Sequence, residues 1–280
     1  MIKKISKLIY KALLLLDFIF KTILRRSFLI HFSEFIQKEI KSDDMKFYIS
    51  NRLTLWRVNT LYEKEPETIE WIDSFDENSV FWDIGSNIGL YSVYAAKKKK
   101  SKVYSFEPST SNLRILSRNI YINNLSRQIF ILPIALNSQK SLNFSLIKES
   151  IFQEGGAENS FSVDYDWEGK TFMPKNEYNT IGASIDFFTK NKIIPFPNYI
   201  KIDVDGIEHL ILEGGIKTLK NDEIKSVLIE INDSFSEQHT ACIEIMNSSG
   251  FKLYKKEHSS MFDNTKYKNQ YNYIFNRILN

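Results

Sequence analysis

Residues 80–92 read Val80-Phe81-Trp82-Asp83-Ile84-Gly85-Ser86-Asn87-Ile88-Gly89-Leu90-Tyr91-Ser92. Val80–Ile84 is short, β-branched and aromatic, as a strand buried on both faces requires. Two glycines then make a turn, and Leu90–Lys100 follows as a helix. Gly85 lets the backbone turn tightly and approach a ligand closely. Free N–H groups at the helix start favour a polar or negative group. Asp83 stands where it can hold the turn or accept a hydrogen from a ligand amine. The spacing is G-x-x-x-G, not the G-x-G-x-x-G of dinucleotide binders, so a ligand without a pyrophosphate fits better.

Outward from this stretch the same rhythm repeats. Strands are expected at Val103–Phe106, Ile129–Ile134, Ile200–Val204 and Val227–Ile231, with helices at Asn112–Ile122, from Glu208 through Leu219 and at Ala241–Ser249. Strands alternating with helices predict a doubly wound, mostly parallel α/β sheet. Phe251–Tyr254 and Tyr273–Arg277 have no helix between them, which suits an antiparallel pair at the sheet edge.

Acidic residues recur at the strand ends. Glu107, followed by Pro108, closes the second strand about 20 residues after the glycine turn, where a carboxylate can hold two vicinal ribose hydroxyls. Capping of the next helix is the competing reading, although Ser109 and Thr110 can also cap it. The fourth strand runs Ile200-Lys201-Ile202-Asp203-Val204-Asp205-Gly206-Ile207-Glu208. Lys201 and Asp203 share a face by the period of two, so the lysine can keep the acid ionised. Glu208 suits the helix start electrostatically. Glu230, near the end of the fifth strand, is expected to face the same crevice as Asp203. Asp203-Val204-Asp205 can also be read as the D-x-D metal site of a sugar-nucleotide transferase, a weak motif by itself.

Composition narrows the classes further. The 280-residue chain is 43% hydrophobic and 25% charged, as soluble globular domains are. Its single cysteine, Cys242, excludes an internal disulfide and suits a reducing compartment. The net charge of +3 is too small to point to nucleic acid. Residues 1–41 hold nine Lys/Arg against three Asp/Glu, and the rest is slightly acidic. Wound as a helix, residues 1–41 place Lys3, Lys7, Lys11, Lys21 and Arg25 on one side and leucines and isoleucines around the rest. Such a basic amphipathic extension can lie on an anionic membrane through residues 1–30, or pack on protein. Residues 42–78 read as a lead-in packed on the domain, with Pro66 starting a helix. Residues 79–280 form the domain proper. Within it, 148–180 is an inserted loop whose aromatics suit a lid or substrate-facing segment.

Together these pieces resemble the FkbM family of S-adenosylmethionine-dependent methyltransferases. The resemblance is carried by FWDIGSNIGLYS (81–92), FEPS (106–109), RNIYINNL (118–125), IKIDVDGIEHLILEGG (200–215), LIEIN (228–232) and NYIFNR (272–277). It implies a seven-stranded, Rossmann-like class I methyltransferase fold and methylation of a hydroxyl on a sugar, glycan precursor or other small natural product. Carried over by position, Asp83, Gly85, Asn87 and Gly89 shape the cofactor loop and Glu107 with Pro108 holds the ribose. Asp203 and Glu230 lie near the transferred methyl, supported by Glu208. Asp205 stands where many relatives have Glu.

A sugar hydroxyl needs its proton removed before it attacks, and Asp203 is the first expected base, Glu230 the second. His209 and His239 are alternatives. No close histidine pair points to a metal, so metal-independent chemistry is expected. The rivals are a metal-dependent glycosyltransferase using Asp203 and Asp205, a nicotinamide oxidoreductase, and a non-catalytic membrane-associated relative. The expected location is cytoplasmic, or peripheral at the inner face of a membrane.

Overall fold

The computed structural model describes residues 2–19 and 39–278. The chain divides into two compact units, residues 1–39 and 40–280. In the first, helix α1 (Ile2–Ile19) exposes Ile5, Leu8, Ile9 and Leu15 beside Lys4, Lys7 and Lys11. Lys21 and Arg25 of the expected basic face lie outside the described residues. The helical extension was expected to reach residue 41, but Glu39–Ser42 is strand β1, which forms a two-stranded sheet with β2 (Met45–Tyr48). Among the described residues no helix is long and apolar enough to cross a membrane.

The lead-in holds two helices, one of them the helix expected to start at Pro66. Helix α2 (Arg52–Asn59) starts on a capping box in which the Asn51 side chain accepts from the Thr54 N–H and Thr54 Oγ1 accepts from the Asn51 N–H. Helix α3 (Pro66–Asp73) begins with proline at its first turn. Its Trp71 donates to Ser226 Oγ at 2.9 Å, and Phe75 beyond it stacks on Tyr199.

The domain then alternates as expected. Strand β3 (Val80–Ile84) leads to α4 (Leu90–Lys98), β4 (Lys102–Phe106) to α5 (Thr110–Ile122), and then comes β5 (Ile129–Leu132). Next come β6 (Ala135–Leu136), β7 (Asn143–Glu149), β8 (Ser160–Phe161) and β9 (Asn176–Ala183), which join in a second sheet of order β6-β9-β7-β8. The 148–180 interval, expected as a loop, thus supplies β8 and much of β9 to a sheet of its own. Helix α6 (Ile185–Lys190), β10 (Tyr199–Ile202), α7 (Glu208–Glu213), α8 (Ile216–Leu219), β11 (Ser226–Asn232), α9 (Ser236–Ser248), β12 (Phe251–Glu257) and β13 (Gln270–Arg277) complete the chain.

The main sheet has seven strands in the order β12-β13-β11-β10-β3-β4-β5. Strands β5, β4, β3, β10 and β11 run parallel, and β13 pairs antiparallel with both β11 and β12, so β13 alone runs against the other six. The sheet separates two cores by residue parity. Phe81, Val103, Tyr199, Leu228 and Ile274 face one core, with α3, α4 and α5, whereas Trp82, Phe106, Ile202 and Ile229 face the other. Chain order reverses between β3 and β10, and at such a switch point a crevice opens beyond the carboxyl ends of the strands.

Candidate active site

The turn after β3 is built for close approach. Gly85 has φ +83°, and a Cβ there would lie 1.8 Å from the Asp203 carbonyl oxygen. The N–H groups of Gly85 and Ser86 both donate to Phe106 O, which ties the turn to β4. Gly89, at φ +82°, sits against the Leu116 side chain and opens α4. Ser86 Oγ is buried without a partner among the described residues.

Asp83 takes the first of the two roles open to it. Its side chain is buried beneath α4 on the Phe81 face and accepts from Ser92 Oγ, which also bonds Ser105 Oγ at 2.7 Å. Burial raises its pKa to about 6. The carboxylate lies under the turn and not in the cavity wall. It supports the loop from below, and the expectation that it meets a ligand is corrected.

Glu107 lies in that wall. Its two oxygens accept from the Asn87 N–H at 2.7 Å and the Ser109 N–H at 2.8 Å. Burial pushes its pKa up to about 7 despite these bonds. Each oxygen keeps a further lone pair for a ligand hydroxyl. Pro108 and Asn87 stand beside it, with the Asn87 amide donating to Gly156 O at 2.7 Å.

These groups open onto a cavity of about 460 Å³, the size of a small-molecule site. Asp203, Asp205 and Glu230 line its other side. Asp203 follows the last residue of β10, and its Oδ2 lies 2.5 Å from the Lys201 ammonium. Lys201 is almost wholly buried. Burial alone would lower its pKa, but Asp203, Glu65 and Asp83 outweigh that and keep it charged.

Glu230 is held differently. Burial and the neighbouring Asp203 carboxylate push its pKa well above the usual range, and its side chain makes no hydrogen bond among the described residues. A proton acceptor poised this way is a better base than a carboxylate tied to an ammonium. Asp205, at φ +64°, accepts from the Glu158 N–H at 2.8 Å and is raised to about 6 by burial and by Asp203.

Glu208 does not reach the cavity. It accepts from the Val204 N–H at 3.0 Å and the Gly206 N–H, and pairs with Gln238. Burial raises it to about 8. It clamps the 203–207 turn from behind, which corrects its expected place among the reacting groups. His209 contacts Tyr165 and Phe235, and His239 contacts Tyr273, so neither stands at the strand ends beside Asp203.

The lead-in contributes groups that the sequence did not announce. Lys64 and Glu65 form an ion pair on the cavity wall, and Glu65 Oε2 lies 3.9 Å from the Lys201 ammonium. Burial alone would raise Glu65, but Lys64 and Lys201 hold it well below the usual range. Glu65, Asp203 and Glu230 each offer an oxygen within 4.8 Å of the others, a spacing open to a cation. Lys64 and Lys201 already supply positive charge there, on Glu65 and Asp203. One signal was available: Glu65 directly precedes the Pro66 that opens α3.

The 149–160 segment arches over the glycine turn. Arg57 Nε donates to Gly155 O at 2.7 Å, the Gly155 N–H to Asn112 Oδ1 at 2.8 Å, and Asn112 Nδ2 to Gly156 O. Ser150, Ile151 and Gly156 to Ser160 of this stretch line the cavity.

The family model of the methyltransferase FkbM domain matches residues 83–253. Hexuronic acid methyltransferase AglP of Haloferax volcanii is 24% identical over 197 residues, 69% of this chain and 73% of that protein. Methyltransferase 1 of Beauveria bassiana is 25% identical over 190 residues, 63% of this chain and 74% of that protein. Among solved structures, methyltransferase FkbM from Methylobacillus flagellatus superposes with a TM-score of 0.48 at 15% identity, covering 81% of this chain and 55% of that one.

Proposed function

The chain belongs to the FkbM methyltransferase family and uses S-adenosylmethionine, and from that premise we propose that it O-methylates a hydroxyl of a sugar, glycan precursor or similar small molecule. The observation that carries this is one cavity with Glu107 at the end of β4 and the Asp203–Glu230 pair at the ends of β10 and β11. The cofactor, when bound, supplies a methyl group already activated on a sulfonium. The chain's task is to align and to manage one proton.

On this reading Glu107 accepts the ribose hydroxyls, and Gly85 and Gly89 let the backbone approach. The Asn87 and Ser109 N–H groups fix the Glu107 carboxylate so that it does not turn away. Glu230 takes the acceptor proton as the oxygen–carbon bond forms. Asp203, held by Lys201, raises the basicity of Glu230 by its negative charge. The Haloferax volcanii relative, described as acting on hexuronic acid, supports a sugar acceptor. The exposed lysines and apolar side chains of α1 favour contact with an anionic membrane surface.

Calorimetry with S-adenosylhomocysteine tests the first half of this reading. One-to-one binding by the wild type, lost in Glu107→Ala, is expected. A folded wild type that does not bind overturns it.

A further inference from the structure

The cavity is assembled from two stretches of sequence with different chemistry. Gly85, Asn87, Glu107 and Pro108 lie inside the family-matched segment 83–253. Another part of the wall is made by residues outside that segment, Glu65 and Glu67 before it in the chain and His258, Phe262, Gln270 and Asn272 after it. Asn272 is directly opposite Glu230 in the β11–β13 register, so the two side chains share a face. Neighbouring strands lie about 4.8 Å apart, so Asp203, Glu230 and Asn272 form a row about 10 Å long, the scale of one sugar ring with its hydroxyls.

Asn272 is only 3% exposed. Its Nδ2 donates to Glu67 Oε1 at 2.7 Å, and its Oδ1 has no partner among the described residues. A buried acceptor without a donor is unfavourable until a ligand fills it. Asn159 Oδ1, also on the cavity wall, is in the same condition. The wall carries seven carboxylic side chains and two permanently basic ones, Arg57 and Lys64. Lys64 is engaged by Glu65, and Arg57 Nε by Gly155 O. The Glu67–Asn272–Glu230 end, with Glu65 and Asp203 beside it, is therefore rich in acceptors, and the Lys64 ammonium there is already engaged.

We infer that the Glu67–Asn272–Glu230 end is the acceptor subsite and that it selects a hydroxyl-rich ring without a carboxylate. This rests on the methyl-transfer reading above. Sugar hydroxyls bring the donors that Asn272 Oδ1 and the carboxylates lack. A uronate would bring further acceptors and a like charge into an acidic wall.

The test is saturation-transfer NMR on the full chain loaded with S-adenosylhomocysteine. The probes are methyl glucoside and methyl glucuronide, which differ only in carrying a hydroxymethyl or a carboxylate on the ring. The glucoside is expected to give the stronger signal, and Asn272→Leu to weaken its binding by about fivefold, one lost hydrogen bond. Calorimetry of the variant with S-adenosylhomocysteine reports whether the fold and cofactor half are intact. A glucuronide signal equal to or above that of the glucoside overturns the inference. So does no signal from either sugar, or an unchanged glucoside signal in an intact Asn272→Leu protein. Failure of the wild type to bind S-adenosylhomocysteine strikes the methyl-transfer reading instead, so the two failures are told apart.

Discussion

The buried Lys201 ammonium lies 2.5 Å from Asp203 Oδ2, two residues further along the same strand end, and 3.9 Å from Glu65 Oε2. One cation thus serves two carboxylates from distant parts of the chain, and it also lies near Asp83. Lys201→Met leaves these acids facing one another without it. Removing one partner of a buried ion pair costs about 3–5 kcal/mol. A fall in unfolding free energy of that size, read by denaturant titration, is expected. A change under about 1 kcal/mol contradicts the picture of a shared cation.

Glu230→Gln removes the expected base while keeping the shape of the side chain. The methyl-transfer rate should fall about 10²- to 10⁴-fold, with S-adenosylhomocysteine affinity unchanged. In the wild type the rate should rise with pH as Glu230 ionises, at a pH above the ordinary carboxylate range because burial and Asp203 raise it against the pull of Lys64. A rate flat from pH 5 to 9 would assign the proton to another group.

The two glycines of the turn differ in what surrounds them. Alanine at Gly85 meets backbone, the Asp203 carbonyl at 1.8 Å, whereas alanine at Gly89 meets the movable Leu116 side chain at 2.4 Å. Both carry the strain of positive φ, of order 1 kcal/mol or more. Gly85→Ala is therefore expected to lower the melting temperature more than Gly89→Ala and to abolish cofactor binding. The reverse order in thermal melts would contradict this geometry.

Several acids titrate above their ordinary range in the folded chain: Asp83 and Asp205 at about 6, Glu107 at about 7 and Glu208 at about 8. Unfolded, they lose their protons near pH 4, so between about pH 4 and 8 the folded state binds more protons. Stability from these groups is full below that window and is lost as pH rises through it. Glu65 acts oppositely: its lowered value gives stability above about pH 4.5 that is lost on acidification. Ligand-free protein should melt highest near about pH 5 and progressively lower toward pH 8. Glu208→Gln, which keeps an oxygen for the Val204 and Gly206 N–H groups, should flatten the upper part of that decline.

Deleting residues 1–30 should release the protein from vesicles containing anionic lipid in a sedimentation assay, leaving S-adenosylhomocysteine binding intact. Equal sedimentation of both forms would reject membrane contact through α1.

The βα rhythm from Val80 to Asn232 was legible because each strand is a short apolar run and each helix starts at a glycine or polar turn. Strands β7 and β9 were not, since they lie in a second sheet with much of their surface exposed and carry no clean alternation of apolar residues. Glu107, Asp203 and Glu230 were legible because strand ends are where a doubly wound sheet gathers ligands. Lys64, Glu65 and Glu67 were not. Apart from Glu65 preceding Pro66, nothing local distinguishes them from a solvated helix start, and the packing of Trp71 and Phe75 against Phe81 and Tyr199 helps carry them to the site. Asp83 was misread because its neighbour in sequence, the glycine turn, faces the cavity while its own side chain follows strand parity into the core.

The contact between Gly85 and the Asp203 carbonyl makes the two halves of the reaction one mechanical piece. Backbone rests on backbone there, with no side chain to act as a spring. The turn proposed to cradle the methyl donor and the strand end proposed to steer the proton must therefore shift together. Loops around the cavity are free to drift for a different acceptor, while the cofactor turn and Asp203 stay welded.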